Sequence, residues 1–255
     1  MIGRPRGRAL ALAVTLAVMV SGCLAAQADA FIYWTSSNRN AIGRANLDGT
    51  GVNQSFITGA SGPHGVAVDG QHVYWASNSN GPIGRANLDG TGVNQSFITA
   101  HFPAGVAVDG QHVYWTNNGN AIGRANLDGS GVNLSFITGA HDSLGVAVDG
   151  QHVYWTNFVD GTIGRANLDG SGVNQSFISG ASAPSGVAVD GQHIYWTNNG
   201  SGNGTTIGRA NLDGSGVNQS FITGANAPDG IAVDGQHIYW TNFGADNGKI
   251  GRAHV

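Results

Sequence analysis

Short apolar segments alternate with Gly-rich polar turns from residue 31 to the end of the chain, and the alternation repeats at a nearly constant interval. Tyr-Trp pairs mark this interval, because they begin at residues 33, 74, 114, 154, 195 and 239 and therefore lie 40 to 44 residues apart. The apolar segments are rich in Val, Ile, Tyr, Trp, Phe and Thr, which favour half-buried strands. In one unit, residues 105–144, the pattern predicts four strands, at 105–108, 112–117, 122–127 and 134–138.

The turns between these segments carry Asp-Gly pairs. Asp109 and Gly110 separate the first and second strands, and such a pair suits a type I′ hairpin because both central residues need a positive φ. The third and fourth strands are joined by Leu-Asp-Gly-Ser-Gly. Four antiparallel strands every 40 to 44 residues are typical of a β-propeller blade, whereas a parallel β-helix has much shorter coils. The chain is therefore predicted to fold as an all-β, six-bladed β-propeller over residues 31–255.

The two ends of the repeat array are incomplete units. The first kind of strand occurs five times, the second and third kinds six times each, and the fourth kind five times, so the total is 22. Six full blades need two more strands, and we predict three-stranded terminal blades that meet at a seam. The last strand, 249–255, leaves an edge that carries Lys249, Arg252 and His254. Positive charge on an edge opposes pairing with an identical edge, so we expect a monomer.

The first 30 residues have the pattern of an export signal. Arg4, Arg6 and Arg8 precede an apolar run over residues 9–20, which is too short to span a bilayer as a helix. Two cleavage sites are open: Ala-Asp-Ala at residues 28–30, or a bacterial lipobox that ends at Cys23. The protein is therefore expected to be secreted or at the cell surface, and lipid-anchored if Cys23 is the lipobox residue.

The repeated motifs resemble a known family. Tyr-Trp-Thr followed by Asn or Ser, then Ile-Gly-Arg-Ala-Asn-Leu-Asp-Gly and Ser-Phe-Ile, is similar to the YWTD or class B repeat of the low-density lipoprotein receptor. The resemblance implies an extracellular six-bladed propeller whose usual work is protein binding. Where that family has Asp after Tyr-Trp-Thr, this chain has Ser or Asn, so any charge-dependent contact made there is lost.

Composition narrows the choice of partners. The chain has 42 Gly and only 10% charged residues, and its acidic residues are all Asp, so helices are disfavoured. A net charge of -4 argues against nucleic acid, which requires a basic patch. The absence of Glu also removes the Glu-based acids, bases and metal ligands of many hydrolases.

Several residue types recur once per unit, and each has a structural interpretation. The His of the Asp-Gly-Gln-His string are predicted to be structural, since zinc needs convergent ligands and these are one to a blade: His72, His112, His152, His193 and His237. The Asp at the end of the first strand are interpreted as turn residues, although a ring of carboxylates that holds a cation or water is left open: Asp69, Asp109, Asp149, Asp190 and Asp234. The Trp are expected to pack between neighbouring blades: Trp34, Trp75, Trp115, Trp155, Trp196 and Trp240. The Arg are expected to be neutralised by a repeat Asp: Arg44, Arg85, Arg124, Arg165, Arg209 and Arg252.

No cofactor and no metal site are predicted. The Asn-x-Asp-x-Ser/Thr-Gly string matches the first half of a calcium loop but lacks the bidentate Glu at its end, and a hairpin turn explains it. Because Ser, His and Asp recur in every unit, their co-occurrence predicts no catalytic residues.

Sequence variation is confined to the loops that enter the first strand and those that join the second to the third, which share one face of a propeller. We call this surface the variable-loop face. Its unpatterned side chains are the candidate binding residues: Arg39, His64, His101, Phe102, His141, Asp142, Phe158, Asp160, Asp229, Phe243, Asp246 and Lys249.

The function predicted from these loops is non-enzymatic. We expect an exported scaffold that binds a protein or a cell-surface polymer. Alternatives are a propeller enzyme of lyase or lactonase type with a site at the channel mouth, loops without function, and a structural protein whose seam pairs with another copy.

Overall fold

Six antiparallel sheets form the blades of this protein, and the first strands of blades 2 to 6 line a central channel. The structure is a computed structural model that describes residues 14–16, 31–78, 81–117, 119–243 and 249–255. The predicted all-β, six-bladed propeller is confirmed. The described residues contain no α-helix, and their single 3-10 turn is Gly200–Gly202.

The strands follow the order predicted from the repeat. In chain order they are β1 (Val14–Leu16), β2 (Phe31–Ser36), β3 (Ala41–Asn46), β4 (Asn53–Thr58), β5 (Pro63–Val68), β6 (His72–Ser77), β7 (Ile83–Asn87), β8 (Asn94–Ile98), β9 (Val106–Val108), β10 (His112–Asn117), β11 (Ala121–Asn126), β12 (Asn133–Thr138), β13 (Val146–Val148), β14 (His152–Asn157), β15 (Thr162–Asn167), β16 (Asn174–Ser179), β17 (Pro184–Val189), β18 (His193–Asn198), β19 (Thr206–Asn211), β20 (Asn218–Thr223), β21 (Pro228–Val233), β22 (His237–Asn242) and β23 (Ile250–His254). Blades 1 to 5 consist of consecutive groups of four strands, and blade 6 consists of β21, β22 and β23.

The seam has the predicted three-stranded blades plus one short strand. Within residues 31–255, blade 1 contributes β2, β3 and β4, and blade 6 contributes three strands. The added strand β1 lies inside the predicted export signal and pairs Val14 with Trp34, in the register that pairs Val66 with Trp75 in blade 2. It contacts the inner strands of blades 2 and 6, so the ring of inner strands is continuous. The export signal itself remains a prediction.

Each blade is held to the preceding one by its Trp. Trp75, Trp115, Trp155 and Trp196 are fully buried, and the other two are 5 and 8% exposed. In every blade the indole lies flat on the Gly of Ile-Gly-Arg in the neighbouring strand, where any Cβ would collide with the ring. Trp155, for example, lies over Gly164 and packs with Tyr114 and Ile137 of blade 3. This packing requires a Gly at that position in all six repeats.

The repeat Asp and His residues build the turn that joins the first and second strands of a blade, on the face opposite the variable loops. In blade 4, Asp149 Oδ1 accepts hydrogen bonds from the backbone N–H groups of Gln151 and His152, and its Oδ2 accepts one from the Tyr154 hydroxyl at 2.9 Å. The His152 ring packs against the Tyr154 ring. The same arrangement recurs in blades 2, 3, 5 and 6. These carboxylates are therefore turn residues, as interpreted from the sequence.

The repeat Arg contact a Phe ring and a backbone carbonyl oxygen, and in two blades the Arg charge also helps, after the hydrogen bonds from a turn Ser, to lower the pKa of a turn Asp, Asp128 near Arg85 and Asp169 near Arg124. Arg124 lies 3.9 Å from the centre of the Phe136 ring, and its Nη1 donates to the carbonyl oxygen of Leu168 in the next blade at 3.1 Å. The planar guanidinium suits this position because it can stack on an aromatic ring and donate at its edge. The Arg of blades 1 to 4 connect their own fourth strand to the following blade in this way.

Truncation of one Trp is expected to destabilise the domain strongly. Trp155→Ala should lower the free energy of unfolding by about 3–5 kcal/mol, because it removes a fully buried indole and leaves a cavity over Gly164. The control is Val159→Ala, since the Val159 side chain is 56% exposed. Urea denaturation measures both, and a loss below about 1 kcal/mol for Trp155→Ala contradicts the packing argument.

Alkaline pH is expected to destabilise the fold. Burial, followed by interaction with the neighbouring Asp carboxylate, raises the pKa of five Tyr hydroxyls above the ordinary value of 10.0: Tyr74, Tyr114, Tyr154, Tyr195 and Tyr239. The folded state favours the protonated form of these Tyr hydroxyls. Their contribution to the free energy of unfolding is therefore fully present below pH 10 and is lost as the pH rises through the folded pKa values.

Urea midpoints measured between pH 8 and pH 12, together with Tyr absorbance, test this expectation. Tyr154→Phe removes one of the ionising groups and should make the alkaline loss of stability less steep. Folded-state titration of all Tyr near pH 10 contradicts the prediction.

Candidate active site at the channel mouth

The inner strands carry one residue position that differs in every blade and faces the channel mouth. It directly precedes the Gly of Gly-Val-Ala-Val or Gly-Ile-Ala-Val and holds His64, Ala104, Leu144, Ser185 and Asp229 in blades 2 to 6. The Gly that follows permits close approach of neighbouring inner strands. A Cβ on Gly145 would lie 2.6 Å from the carbonyl oxygen of Ser185. The mouth is therefore narrow, and its chemistry is set by these five side chains.

Four of these positions, those of His64, Leu144, Ser185 and Asp229, line a cavity of about 60 Å³ at the variable-loop face. His64, Ser185 and Asp229 contribute its ionisable and hydroxyl groups, and Leu144 adds an apolar wall. The Ser185 hydroxyl donates a hydrogen bond to the Asp229 carboxylate. Ser185 is buried, whereas His64 and Asp229 are half-buried and open to the mouth. Three polar side chains from blades 2, 5 and 6 therefore share one opening.

Thr residues of the second strands hold the backbone of this mouth. Thr35 Oγ1 donates to the carbonyl oxygen of His64 at 2.8 Å, and Thr197 Oγ1 donates to that of Asp229 at 2.7 Å. Each bond crosses from one blade to the next. The positions of His64 and Asp229 are thus fixed by the same Tyr-Trp-Thr motif that forms the blades.

Below the mouth the channel is apolar. A second cavity, of about 180 Å³, is lined by the Val, Ala and Ile side chains of the inner strands. At the opposite face the repeat Asp carboxylates are occupied by turn N–H groups and Tyr hydroxyls. The variable-loop mouth is consequently the place on the channel axis where acid-base chemistry can occur.

His64 is the mouth residue best suited to proton transfer. An imidazole ring can accept and donate a proton and can therefore act as a general base or acid. The Ser185 and Asp229 pair supplies hydrogen-bonding groups across the same cavity for a substrate. No group of three or more His, Cys, Asp or Glu that could hold a metal occurs in the part of the chain that the structure describes.

The other predicted binding residues spread over the variable-loop face. His141 Nδ1 lies 2.7 Å from Asp160 Oδ1, with both side chains about half exposed. Phe102 is 49% exposed and has a φ of 45°, so its ring stands out of the loop into solvent. His101 is exposed, and its backbone N–H donates to Asn117 Oδ1 at 2.8 Å.

The remaining predicted residues lie away from the mouth cavity. Asp142 is half-buried with a φ of 53°, and Phe158 is half-buried. The Phe243 N–H donates to the carbonyl oxygen of Ala227 at 3.0 Å. Arg39 and Lys249 are exposed near the seam, and Arg39 lines a groove there. Asp246 lies outside the described residues.

Ser185 was not predicted from the sequence. It belongs to a Gly-Ala-Ser-Ala-Pro-Ser loop that has no unusual side chain. Aligning the residue that precedes each Gly-Val-Ala-Val string would have found it, because only that position combines a different residue in every blade with a place at the channel.

Comparisons with known proteins agree on the fold and name a family. The model of the virginiamycin B lyase family matches residues 4–253. The solved structure of a Nidogen/Laminin complex aligns with a TM-score of 0.69 at 20% identity, over 83% of this chain and 84% of that chain. Virginiamycin B lyase from Staphylococcus aureus aligns with a TM-score of 0.64 at 22% identity, over 91% of this chain and 80% of that chain.

A third solved structure contains a ligand. It is a catalytically inactive His-to-Ala variant of the Staphylococcus aureus virginiamycin B lyase with Quinupristin, with a TM-score of 0.65 at 21% identity over 98% of this chain and 82% of that chain. No curated protein matches the chain. The resemblance to the YWTD repeat therefore holds at the level of a related propeller, as in nidogen.

The prediction of a non-enzymatic protein is wrong, because the family that matches nearly the whole chain is a family of lyases. The prediction relied on the absence of Glu and on the near-identity of the repeats. The repeats are nearly identical at the Asp-Gly turns, but the mouth position differs in each of blades 2 to 6, and a site needs only a few residues there.

In the described part of the chain no helix is long and apolar enough to cross a membrane.

The close approach of inner strands gives a testable consequence for the mouth. Gly145→Ala should destabilise the domain by about 1–3 kcal/mol, because its Cβ would lie 2.6 Å from the Ser185 carbonyl oxygen and would force blades 4 and 5 apart. Gly150→Ala in the same blade is the control, since a Cβ there meets nothing within 4 Å. Thermal unfolding compares the two, and equal stability of both variants contradicts the close-packed mouth.

Proposed function

We propose that this chain, which belongs to the virginiamycin B lyase family, is itself a lyase whose reaction takes place at the channel mouth of the variable-loop face. The observation that carries the proposal is the shared cavity of His64, Ser185 and Asp229, three polar residues at the inner-strand position that holds a different residue in each of blades 2 to 6.

The proposed reaction is an elimination, which a lyase performs without water as a reactant. His64 removes a proton from the carbon beside a substrate carbonyl, and the electron pair of that C–H bond forms a double bond. The bond to the leaving oxygen breaks, and the oxygen takes up a proton that the His64 imidazolium can return. Asp229 and Ser185 bind polar N–H or carbonyl groups of the substrate and orient its C–H bond toward the imidazole.

The size of the mouth suggests how a substrate binds. A cavity of about 60 Å³ admits a small group only, so a macrocycle would lie across the variable-loop face with its reacting group at the opening. The half-exposed pair of His141 and Asp160 and the exposed Phe102 ring are available to contact the rest of it. A cyclic peptide ester of the Quinupristin class is the substrate proposed, by analogy with the ligand of the related lyase.

Incubation with Quinupristin, followed by liquid chromatography and mass spectrometry, tests the proposal. Elimination within a ring opens it without a change of mass, whereas hydrolysis adds one water. The opened product should therefore have the mass of the substrate and take up no label from H₂¹⁸O.

Replacement of the proposed base should abolish turnover. His64→Ala is expected to lower kcat by about 100-fold or more, the usual effect of removing a general base. His101→Ala is the matched control, because His101 is exposed on the same face and is not among the residues that line the mouth cavity. Product of increased mass, or full activity of His64→Ala, contradicts the proposed chemistry.

We also propose that the variable-loop face binds a macromolecular partner. The specific observation is Phe102, a ring that is 49% exposed on a residue with a φ of 45°. Exposed aromatic rings on rigid loops favour contact with a protein or a cell-surface polymer. The predicted export signal supports contact with such a partner outside the cytoplasm. The protein would then be either secreted or lipid-anchored through Cys23.

A further inference from the structure

Each mouth residue follows a loop that contacts the preceding blade. In four blades a buried Pro stands directly before the mouth residue: Pro63, Pro103, Pro184 and Pro228. Two peptide groups flank the mouth residue, and the first contains the carbonyl oxygen of the residue before it, whereas the second contains its own carbonyl oxygen. Because peptide groups are planar, holding both of them restrains the φ and ψ of the residue between them and with these the direction of its side chain.

Both peptide groups that flank His64 are held by blade 1. The Ser37 hydroxyl donates to the carbonyl oxygen of Pro63 at 2.6 Å, and the Thr35 hydroxyl donates to the carbonyl oxygen of His64 at 2.8 Å. Thr35 is fully buried and Ser37 is half-buried. The imidazole of His64 therefore enters the mouth cavity from a backbone that is restrained on both sides.

Asp229 is held in the same way by blade 5. Asn199 Nδ2 donates to the carbonyl oxygen of Pro228 at 3.1 Å, and the Thr197 hydroxyl donates to that of Asp229 at 2.7 Å. Asn199 is itself fixed, because its Oδ1 accepts from the N–H of Gly202 at 2.7 Å. Ser37 and Asn199 both stand two residues after the Thr of a Tyr-Trp-Thr motif, so two different side chains make the same contact.

The mouth residue Ser185 is held at one of its two peptide groups only. The Thr156 hydroxyl donates to the carbonyl oxygen of Ser185 at 3.1 Å. Two residues after Thr156 the chain has Phe158, whose side chain cannot donate to the Pro184 carbonyl.

The junction that precedes Ala104 lacks the other donor. Ala76 replaces Thr there, so no hydroxyl is available for the carbonyl oxygen of Ala104. Residue 118, which has the second donor position ahead of Leu144, lies outside the described residues. Both donors are thus found ahead of His64 and Asp229, the two ionisable mouth residues, and one at most ahead of Ser185 and Ala104.

We propose that Ser37 and Asn199 are positioning residues for the reaction at the channel mouth, an inference that rests on the proposed lyase function. Each restrains, from the preceding blade, the peptide group in front of an ionisable mouth residue. Neither is among the residues that line the mouth cavity, so each acts through the backbone of its neighbour and not by contact with a substrate. Ser37 directs the His64 imidazole in this way, and Asn199 directs the Asp229 carboxylate.

Replacement of Ser37 tests the first contact. In Quinupristin turnover, Ser37→Ala should lower kcat about fivefold or more and leave KM within about twofold, because a misdirected base slows the chemical step without removing substrate contacts. Ser37→Thr keeps a hydroxyl and should restore kcat. Ser61→Ala is the control, since Ser61 is exposed in the loop that enters the same inner strand. Unchanged kcat of Ser37→Ala, an equal loss in the control, or a loss that Ser37→Thr does not restore overturns the proposal.

Replacement of Asn199 by Asp isolates the second contact. The Asp side chain keeps an oxygen that can accept from the Gly202 N–H but has no N–H for the Pro228 carbonyl. We expect kcat to fall about fivefold or more with KM nearly unchanged. Asn203→Asp adds the same charge at an exposed residue of the same loop and should keep wild-type kcat. Equal losses in the two variants would assign the effect to charge and overturn the role of Asn199.

A side-chain NMR signal tests the positioning of His64 without turnover. The Cε1–H signal of His64 is assigned by its loss in His64→Ala. It should shift in Ser37→Ala and stay in place in Ser61→Ala, whereas the signal of His101, in the loop of another blade, should shift in neither variant. An unshifted His64 signal in Ser37→Ala overturns the proposal at any level of activity.

The two readouts separate this inference from the function on which it rests. Absence of turnover by the wild-type chain refutes the lyase function and with it the reaction to which Ser37 and Asn199 would contribute. Turnover by the wild-type chain together with an unshifted His64 signal in Ser37→Ala refutes the positioning role alone. A lower kcat, an unchanged KM and a shifted His64 signal, all restored by Ser37→Thr, support the inference.

Discussion

The stacking of each Trp indole on the Gly of the neighbouring strand is the constraint on which this propeller depends. The ring is flat and buried, and it lies where any Cβ would stand, so the Tyr-Trp and Ile-Gly-Arg motifs must change together or not at all. That contact fixes the distance between blades, and the distance in turn lets the Arg of blades 1 to 4 stack on their own Phe and donate to a Leu carbonyl of the next blade. The near-identity of the repeats follows from this shared geometry, since each blade must present the same two faces to its neighbours.

A ring of equal blades can form an asymmetric site only where the packing leaves the side chain free. The position before the Gly of the inner strand meets that condition, because it lies at the mouth, after the loop and before the close contact of the strands. His64, Ser185 and Asp229 occupy it in three blades, and Leu144 adds an apolar side chain to the same cavity. The symmetric scaffold therefore supplies rigidity, and three substitutions at a single register are enough to create polar chemistry on the axis.

Most of the fold could be predicted from the sequence, because the Tyr-Trp interval and the Asp-Gly turns report local structure. The strand Val14–Leu16 could not, since an apolar run after three Arg has the composition of an export signal, and only its pairing with β2 reveals a strand. The site was predicted in part: His64 and Asp229 were singled out, but their meeting with Ser185 depends on ring closure, which brings blades 2, 5 and 6 to one cavity. The class of function was wrong because whole-chain properties, such as the absence of Glu, carry little information about a site of three residues.

Ring closure also explains why the seam differs chemically from every other junction. At a junction between complete blades, the fourth strand offers Phe and Ile to the next blade, so the apolar face around the Trp is covered from both sides. At the seam, Trp34 and Ile32 pack with Tyr239 and Ala232 of blade 6 but meet no fourth-strand Phe or Ile among the described residues. The same side chains that produce a dry junction elsewhere consequently line an open groove here.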